Sequence, residues 1–181
     1  MTQGSARTLR WRHVRSILAL PATVAVVIPG LILARTASAD IGWPLSSAWR
    51  IPVIIAGLIA LAIGLRLLAE TITLFATEGD GTLAPWDPPS RLVVRGVYRR
   101  VRNPMITGVF IVLIGEAALF GSVPLVMWAA LFAGINVTFI PLFEEPRLAE
   151  RFGASYEEYR RHVPRWIPRS RPWSGEPSER P

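Results

Sequence analysis

The sequence predicts an all-α polytopic membrane protein, with four transmembrane helices followed by a helical cytoplasmic C-terminal tail. Three observations lead there. Apolar residues make up 51% of the 181-residue chain, and its mean hydropathy is +0.36. They gather in four long runs, where a soluble domain would scatter them along amphipathic faces. The 20 basic residues are all arginine and crowd the segments between alternate runs.

The first run, Ile17 to Ala34, is interrupted by Pro21 and Pro29. Ala37-Ser38-Ala39 behind it resembles a signal-cleavage site, but the run is long for a signal and three more follow, so it reads as a span. The second, Ile51 to Phe75, is roughly 37 Å long as a helix, against a hydrocarbon core of about 30 Å. Its Arg66 and Glu70, spaced i, i+4, are therefore either an intramembrane functional pair or an ordinary ion pair on protruding turns. The third run, Met105 to Phe120, carries Glu116 about three turns in, where an ionised group is costly. The fourth, Val123 to Phe143, carries Asn136 midway, and an amide at that depth is expected to bridge helices. Only Gly121-Ser122 separates the last two runs, which predicts a tight hairpin.

Arginine counts orient the spans. Four precede the first run, five lie between residues 76 and 104, and eight follow residue 143, whereas the 35–50 loop has two. The positive-inside rule places both termini and the 76–104 loop in the cytoplasm, with the protein in the inner, cytoplasmic membrane. The net charge of +7 is thereby read as loop charge at a lipid surface, and no nucleic-acid partner is expected.

In the tail, Leu148, Phe152, Tyr156, Tyr159 and Val163 recur at helical spacing. Gly153 breaks that helix, and Ser155 through Glu158 reads as a capping box that restarts it. The apolar stripe fits either a helix on lipid headgroups or a lid packed on the bundle, and the lid is favoured because the tail starts directly at Glu144-Glu145. The segment Arg165-Trp166-Ile167-Pro168-Arg169 reads as an interfacial anchor. One domain is expected over 1–169, with residues 170–181, rich in Pro, Ser and Arg, disordered.

Residue inventory excludes several chemistries. Without cysteine there is no disulfide, thiolate zinc site or cysteine nucleophile, and without lysine no Schiff base or Walker lysine. His13 and His162 are the only imidazoles, so no metal centre is expected. Gly79-Asp80-Gly81 through Ala84 fits a dinucleotide-binding pattern, but it follows an apolar helix and runs into Pro85, so it reads as a turn.

Two polar blocks remain. Arg102-Asn103-Pro104 opens the third span, and Glu144-Glu145-Pro146 closes the fourth. Paired carboxylates at a helix C-terminus oppose the macrodipole and call for a cationic partner. The hairpin makes Asn103 and Glu144 neighbours at its cytoplasmic end.

At these residues the chain resembles the isoprenylcysteine carboxyl methyltransferase and phospholipid methyltransferase family. The blocks that carry the resemblance are Gly96-Val97-Tyr98 with Arg102-Asn103-Pro104-Met105 and Gly108; Gly115-Glu116; Glu144-Glu145-Pro146; and Arg151-Phe152-Gly153 with Tyr156, Tyr159 and Val163 through Pro168. The resemblance implies S-adenosylmethionine as methyl donor and a lipid or other lipophilic acceptor as partner. It assigns donor binding to Tyr98, Arg102, Asn103, Pro104, Glu144, Glu145, Phe152 and Tyr156, and catalytic roles to Arg102, Asn103 and Glu116. Arg102 would pair the donor's carboxylate, Glu144 or Glu145 its ammonium or ribose, and the aromatic rings its adenine or sulfonium. The chain has Asn103 and Ile106 where family members often carry His and Tyr. An asparagine hydrogen-bonds but is no base near neutral pH. A membrane reductase of the sterol-reductase type, binding NADPH, and a non-catalytic scaffold are the alternatives.

Overall fold

Two prolines and a ladder of glycines decide how the helices bend and meet. A computed structural model describes residues 20–36, 42–44, 46–78 and 92–175. The N-terminal arginine flank, the Ala37–Ala39 site and the Gly79–Ala84 turn lie outside the described residues. Five helices and no strand occur among the described residues: α1 (Leu20–Arg35), α2 (Ser47–Glu78), α3 (Pro104–Phe120), α4 (Val123–Phe139) and α5 (Glu145–His162). The chain divides into two compact units. Among the described residues, one lies within 21–68 and 105–138, the other within 69–104 and 139–175.

In the first unit, α2 and α3 meet through glycine. Gly57 and Gly64 on α2 face Gly115 and Gly108 on α3, each pair seven residues apart, which is two turns. A Cβ at Gly64 would lie 2.7 Å from the Val112 Cγ2 and 2.8 Å from the Gly108 carbonyl; one at Gly115 would lie 2.9 Å from the Gly57 carbonyl. Among apolar helices, where lipid competes equally for side chains, such backbone approach is what makes association favourable. Gly121, at φ +59, turns the chain from α3 to α4. The C-terminal carbonyls of α3 are satisfied by Gly42, whose N–H donates to Phe120 O at 2.9 Å, and by the Trp43 indole, which donates to Ala118 O at 3.0 Å.

Pro29 explains a widened π turn over Thr23–Val27 in α1. The Ile28 N–H bonds back to Thr23 O, and Pro29 has no N–H to offer, so Val24 O is released. The Trp128 indole on α4 donates to it at 3.1 Å. An apolar unit has no water to satisfy that carbonyl, so a side chain must. A second π turn, Ile140–Glu144, contains Pro141 and joins α4 to α5.

α2 and the continuous helical stretch Val123–His162, which runs from α4 through the second π turn into α5, are long and apolar enough to cross a membrane, and only 17% of each apolar window is buried within the protein. Their outward Ile, Leu, Val and Met side chains require an apolar solvent. α3, at 17 residues, spans roughly 26 Å, short of the expected span, and the described part of α1 is shorter still. Asn136 differs from expectation: its amide donates to Phe132 O of its own helix at 2.8 Å. With a backbone carbonyl one turn away, the amide is satisfied without a neighbouring helix.

In the second unit, Gly153 takes φ +52, ψ −130 and kinks α5 as the sequence predicts. The stripe of Leu148, Phe152, Tyr156, Tyr159 and Val163 packs on Leu92, Val94 and Trp173. Its apolar cover is thus protein from the same unit, and lipid headgroups are not needed for it. Residues 170–175 depart from the expected disorder. Trp173 is buried, stacks on His162 at 5.2 Å, and its N–H donates to Arg99 O at 2.8 Å. One large aromatic with an available slot outweighs the Pro- and Ser-rich composition around it.

The glycine ladder is testable. Gly64→Ala should destabilise the protein by about 1–3 kcal/mol through overpacking. Gly134→Ala, where a Cβ meets nothing within 4 Å, should be neutral or slightly stabilising. Thermal unfolding in detergent, followed by circular dichroism, distinguishes them, and equal melting temperatures would contradict the close packing.

Candidate functional site

The site grows from a short strap of backbone pairing. After an extended Arg95, Gly96 enters the left-handed region at φ +52 and starts a 3₁₀ turn, Gly96–Arg99, that buries Val97. The following residues pair with the segment after α5. The Arg102 N–H donates to Pro164 O at 2.9 Å and the Arg169 N–H to Arg100 O at 3.0 Å. Val101 is fully buried between these bonds. Asn103 adds its amide, which donates to Arg165 O at 3.3 Å. Tyr159 closes the other side, donating its hydroxyl to Tyr98 O at 2.8 Å.

This pairing delivers two guanidinium groups to one carboxylate. Arg165 grips Glu145 in a fork, Nε to Oε1 at 2.6 Å and Nη2 to Oε2 at 2.7 Å. Arg102 Nη1 donates to Oε1 at 2.7 Å and to the Tyr156 hydroxyl at 3.3 Å. The Glu145 side chain is 6% exposed and that of Arg102 9%. Burial alone would raise the Glu145 carboxyl. The Arg165 hydrogen bond, with the charges of Arg102, Arg165 and Arg160, more than reverses that, so it stays ionised below the ordinary carboxylate range. Burial raises Tyr98, Tyr156 and Tyr159, so the phenols stay neutral at physiological pH. The cluster therefore carries two cations and one anion.

The expected residues separate into groups. Tyr98, Arg102, Asn103, Pro104, Glu144, Glu145, Phe152 and Tyr156 all lie in this unit, whereas Glu116 lies in the other, on α3. One Glu116 carboxylate oxygen is buried without a hydrogen-bond partner among the described residues. Pro104 is fully buried. Both Glu145 oxygens are occupied by arginine, so this carboxylate organises the cluster, and Glu144, exposed, is the open member of the pair. The Tyr156 ring is buried in the apolar core, which leaves its hydroxyl as the part facing Arg102. The Phe152 ring, half-buried, carries the Arg151 guanidinium 5.4 Å from its centroid.

Arg102 Nε is buried with no acceptor among the described residues. A buried guanidinium N–H without an acceptor is costly, and an anionic ligand oxygen would relieve it. Arg165 and Trp173 are the participants that sequence reasoning missed. The proline-flanked Val163–Pro168 block was the available signal, but it read as a membrane anchor.

Membrane-length apolar helices, joined to a unit whose centre is a buried Arg–Glu–Arg cluster, mark the chain as a helical membrane protein with a buried charged cluster. Within that class the chain belongs to the phospholipid methyltransferase family, whose sequence model matches residues 52–155, more than half of the chain. It is also 37% identical over 83 residues to the Protein-S-isoprenylcysteine O-methyltransferase of Schizosaccharomyces pombe, an alignment that covers 42% of this chain and 33% of that protein. The chain thus matches about a third of the length of that relative. No solved structure matches it.

The Glu145 cluster predicts a sign for the pH dependence. A carboxylate held below its unfolded value, about 4.3, stabilises fully above that pH, and the contribution is lost as pH falls through the folded value. Acid titration followed by tryptophan fluorescence should show this loss in the native protein. Glu145→Gln should be destabilised near neutrality by about 3–5 kcal/mol, because two arginines lose their anion, and should lack the acid-dependent component. A variant as stable as the native chain at pH 7 would overturn the assignment.

Proposed function

We propose that this protein is an S-adenosylmethionine-dependent methyltransferase acting on a lipophilic or membrane-embedded acceptor through a carboxylate or amine. Family membership supports methyl transfer, and the observation that carries the donor assignment is the buried, unpartnered Arg102 Nε beside a cluster with one excess positive charge. The residues fit such a donor, a zwitterion with one carboxylate and one ammonium. Arg102 is the group to hold the carboxylate, since the planar fork of guanidinium donors matches the two oxygens of a carboxylate. Glu144, exposed but held above the usual carboxylate range by partial burial and the neighbouring Glu145 charge, is the group to hold the ammonium or ribose hydroxyls, and a bound cation would favour its ionised form. Tyr98 and Phe152 in the same unit are the aromatic rings assigned to the adenine or the sulfonium. When bound, S-adenosylmethionine supplies an electrophilic methyl group.

The protein's own part is alignment and exclusion of water. Arg165 and Glu145 hold Arg102 at a fixed angle, and Asn103 ties the strap to the start of α3. Asn103 is no base, the tyrosines stay neutral and Glu145 is spent on arginine. The acceptor must therefore arrive with its lone pair available, as a carboxylate does and as a neutral amine does. Glu116 offers a hydrogen-bond acceptor among apolar helices, where a lipid-soluble acceptor dissolves, and is assigned to that substrate. We place both compact units in one methyltransferase domain, with four crossings of the cytoplasmic membrane and both termini in the cytoplasm. In this reading α5 and the strap form the lid over the donor.

Glu144→Gln and Arg102→Gln should each weaken S-adenosylhomocysteine binding by roughly tenfold or more, the effect of about 1.5–3 kcal/mol for a charged hydrogen bond. Glu144 is exposed and outside the Arg–Glu–Arg cluster, so its variant should keep the native fold. Calorimetric titration in detergent reads the affinity, and unchanged binding in both folded variants would sink the donor site.

A further inference from the structure

Every large apolar side chain that the protein exposes strongly belongs to α1 through α4 or to the turn that ends α4, with one exception among the described residues. Lipid accounts for those in the apolar helices. The exception is Ile167, and at 79% it is the most exposed of them all. It lies on a bend over 165–167 just before Pro168, with Arg165, Arg169 and Arg171 close to it in sequence. From Tyr159 to Gly175 the chain has five arginines and no acidic residue. Of these, Arg165 is committed to Glu145, Arg160 pairs with Glu157, and Arg169 donates to His162 O. Arg171 is exposed at the rim.

We propose that Arg165–Arg171 is a docking surface for anionic phospholipid headgroups, with Ile167 as its point of insertion. The arrangement is one strongly exposed apolar side chain within an arginine-rich stretch, which suits the headgroup layer: Ile167 enters the acyl boundary and the exposed Arg171 guanidinium meets phosphate. Location agrees. The Asn103 amide holds Arg165 O, and the Arg102 N–H holds Pro164 O, so the loop is tied to the two residues that precede the apolar helix α3. A water-soluble partner would equally explain one exposed apolar side chain, but the exposed Arg171 and the absence of an acidic residue between Tyr159 and Gly175 favour an anionic lipid surface. The surface is continuous with the candidate site, because Arg165 faces Glu145 from the same loop. Lipid contact at Ile167 therefore steadies the residue that grips Glu145.

The test uses the full chain in vesicles of phosphatidylcholine, with and without phosphatidylglycerol. The chain has no cysteine, so Ile167→Cys carries a single environment-sensitive fluorophore. We expect blue-shifted emission in the phosphatidylglycerol vesicles relative to phosphatidylcholine alone, and reversal of the shift by high salt. Adding Arg171→Ser should lower the inserted fraction by roughly fivefold, the effect of one cation at an anionic surface. Water-like emission in both vesicles would overturn the proposal. So would an equal shift in both, which would remove the anionic headgroup, and so would a shift that appears only when a soluble extract is added, which would assign the side chain to a protein. None of these readouts involves the methyl donor, so the result stands apart from the functional reading.

Discussion

The carboxylate of Glu145, held between Arg102 and Arg165, is the interaction on which the charged unit depends. Remove the anion and two guanidiniums repel each other with their water already stripped away. Remove either arginine and a buried carboxylate is left undercompensated. The three residues come from three places: the segment before α3, the first turn of α5 and the strap beyond α5. One contact therefore joins pieces of chain more than forty residues apart, and the backbone bonds of the strap, the Tyr159–Tyr98 bond and the Trp173 core assemble around it.

The two compact units answer to different physics. In the apolar unit the surrounding medium is as greasy as the side chains, so helices associate through close backbone approach at Gly57, Gly64, Gly108 and Gly115. There, each carbonyl freed by a proline must find an internal donor, as Val24 does in Trp128. In the charged unit water is available, burial of Tyr156, Tyr159 and Val163 drives packing, and charge is tolerated where it is paired. The open Arg102 Nε and the exposed Glu144 are the places where that pairing is incomplete, and they are the groups assigned to a ligand.

How much was legible follows from which signals are local. Apolar composition revealed the helices and Gly153 revealed the kink, because each acts within its own few residues. The charged blocks at Arg102 and Glu144-Glu145 pointed to a shared cluster, although the helix-end argument behind that reading does not hold: the chain stays helical from Val123 to His162, and Glu145 sits in the first turn of α5. The glycine ladder was not legible. A glycine inside an apolar run gives no sign of its use until a second helix lies against it. Arg165 was missed because its partner lies twenty residues upstream and is reached only when the chain returns along 164–169. Trp173 was missed because local composition predicted disorder, while its burial depends on a slot formed by Val94 and Tyr159. Asn136 was misassigned since a backbone carbonyl one turn away competes with any neighbour.

The central claim is that the Arg–Glu–Arg unit builds a site for a sulfonium methyl donor. Calorimetric titration of the unmodified, detergent-solubilised protein with S-adenosylhomocysteine, and separately with NADPH, tests it most directly. The account predicts saturable one-to-one binding of S-adenosylhomocysteine and no binding of NADPH. Binding of NADPH with S-adenosylhomocysteine silent would contradict it.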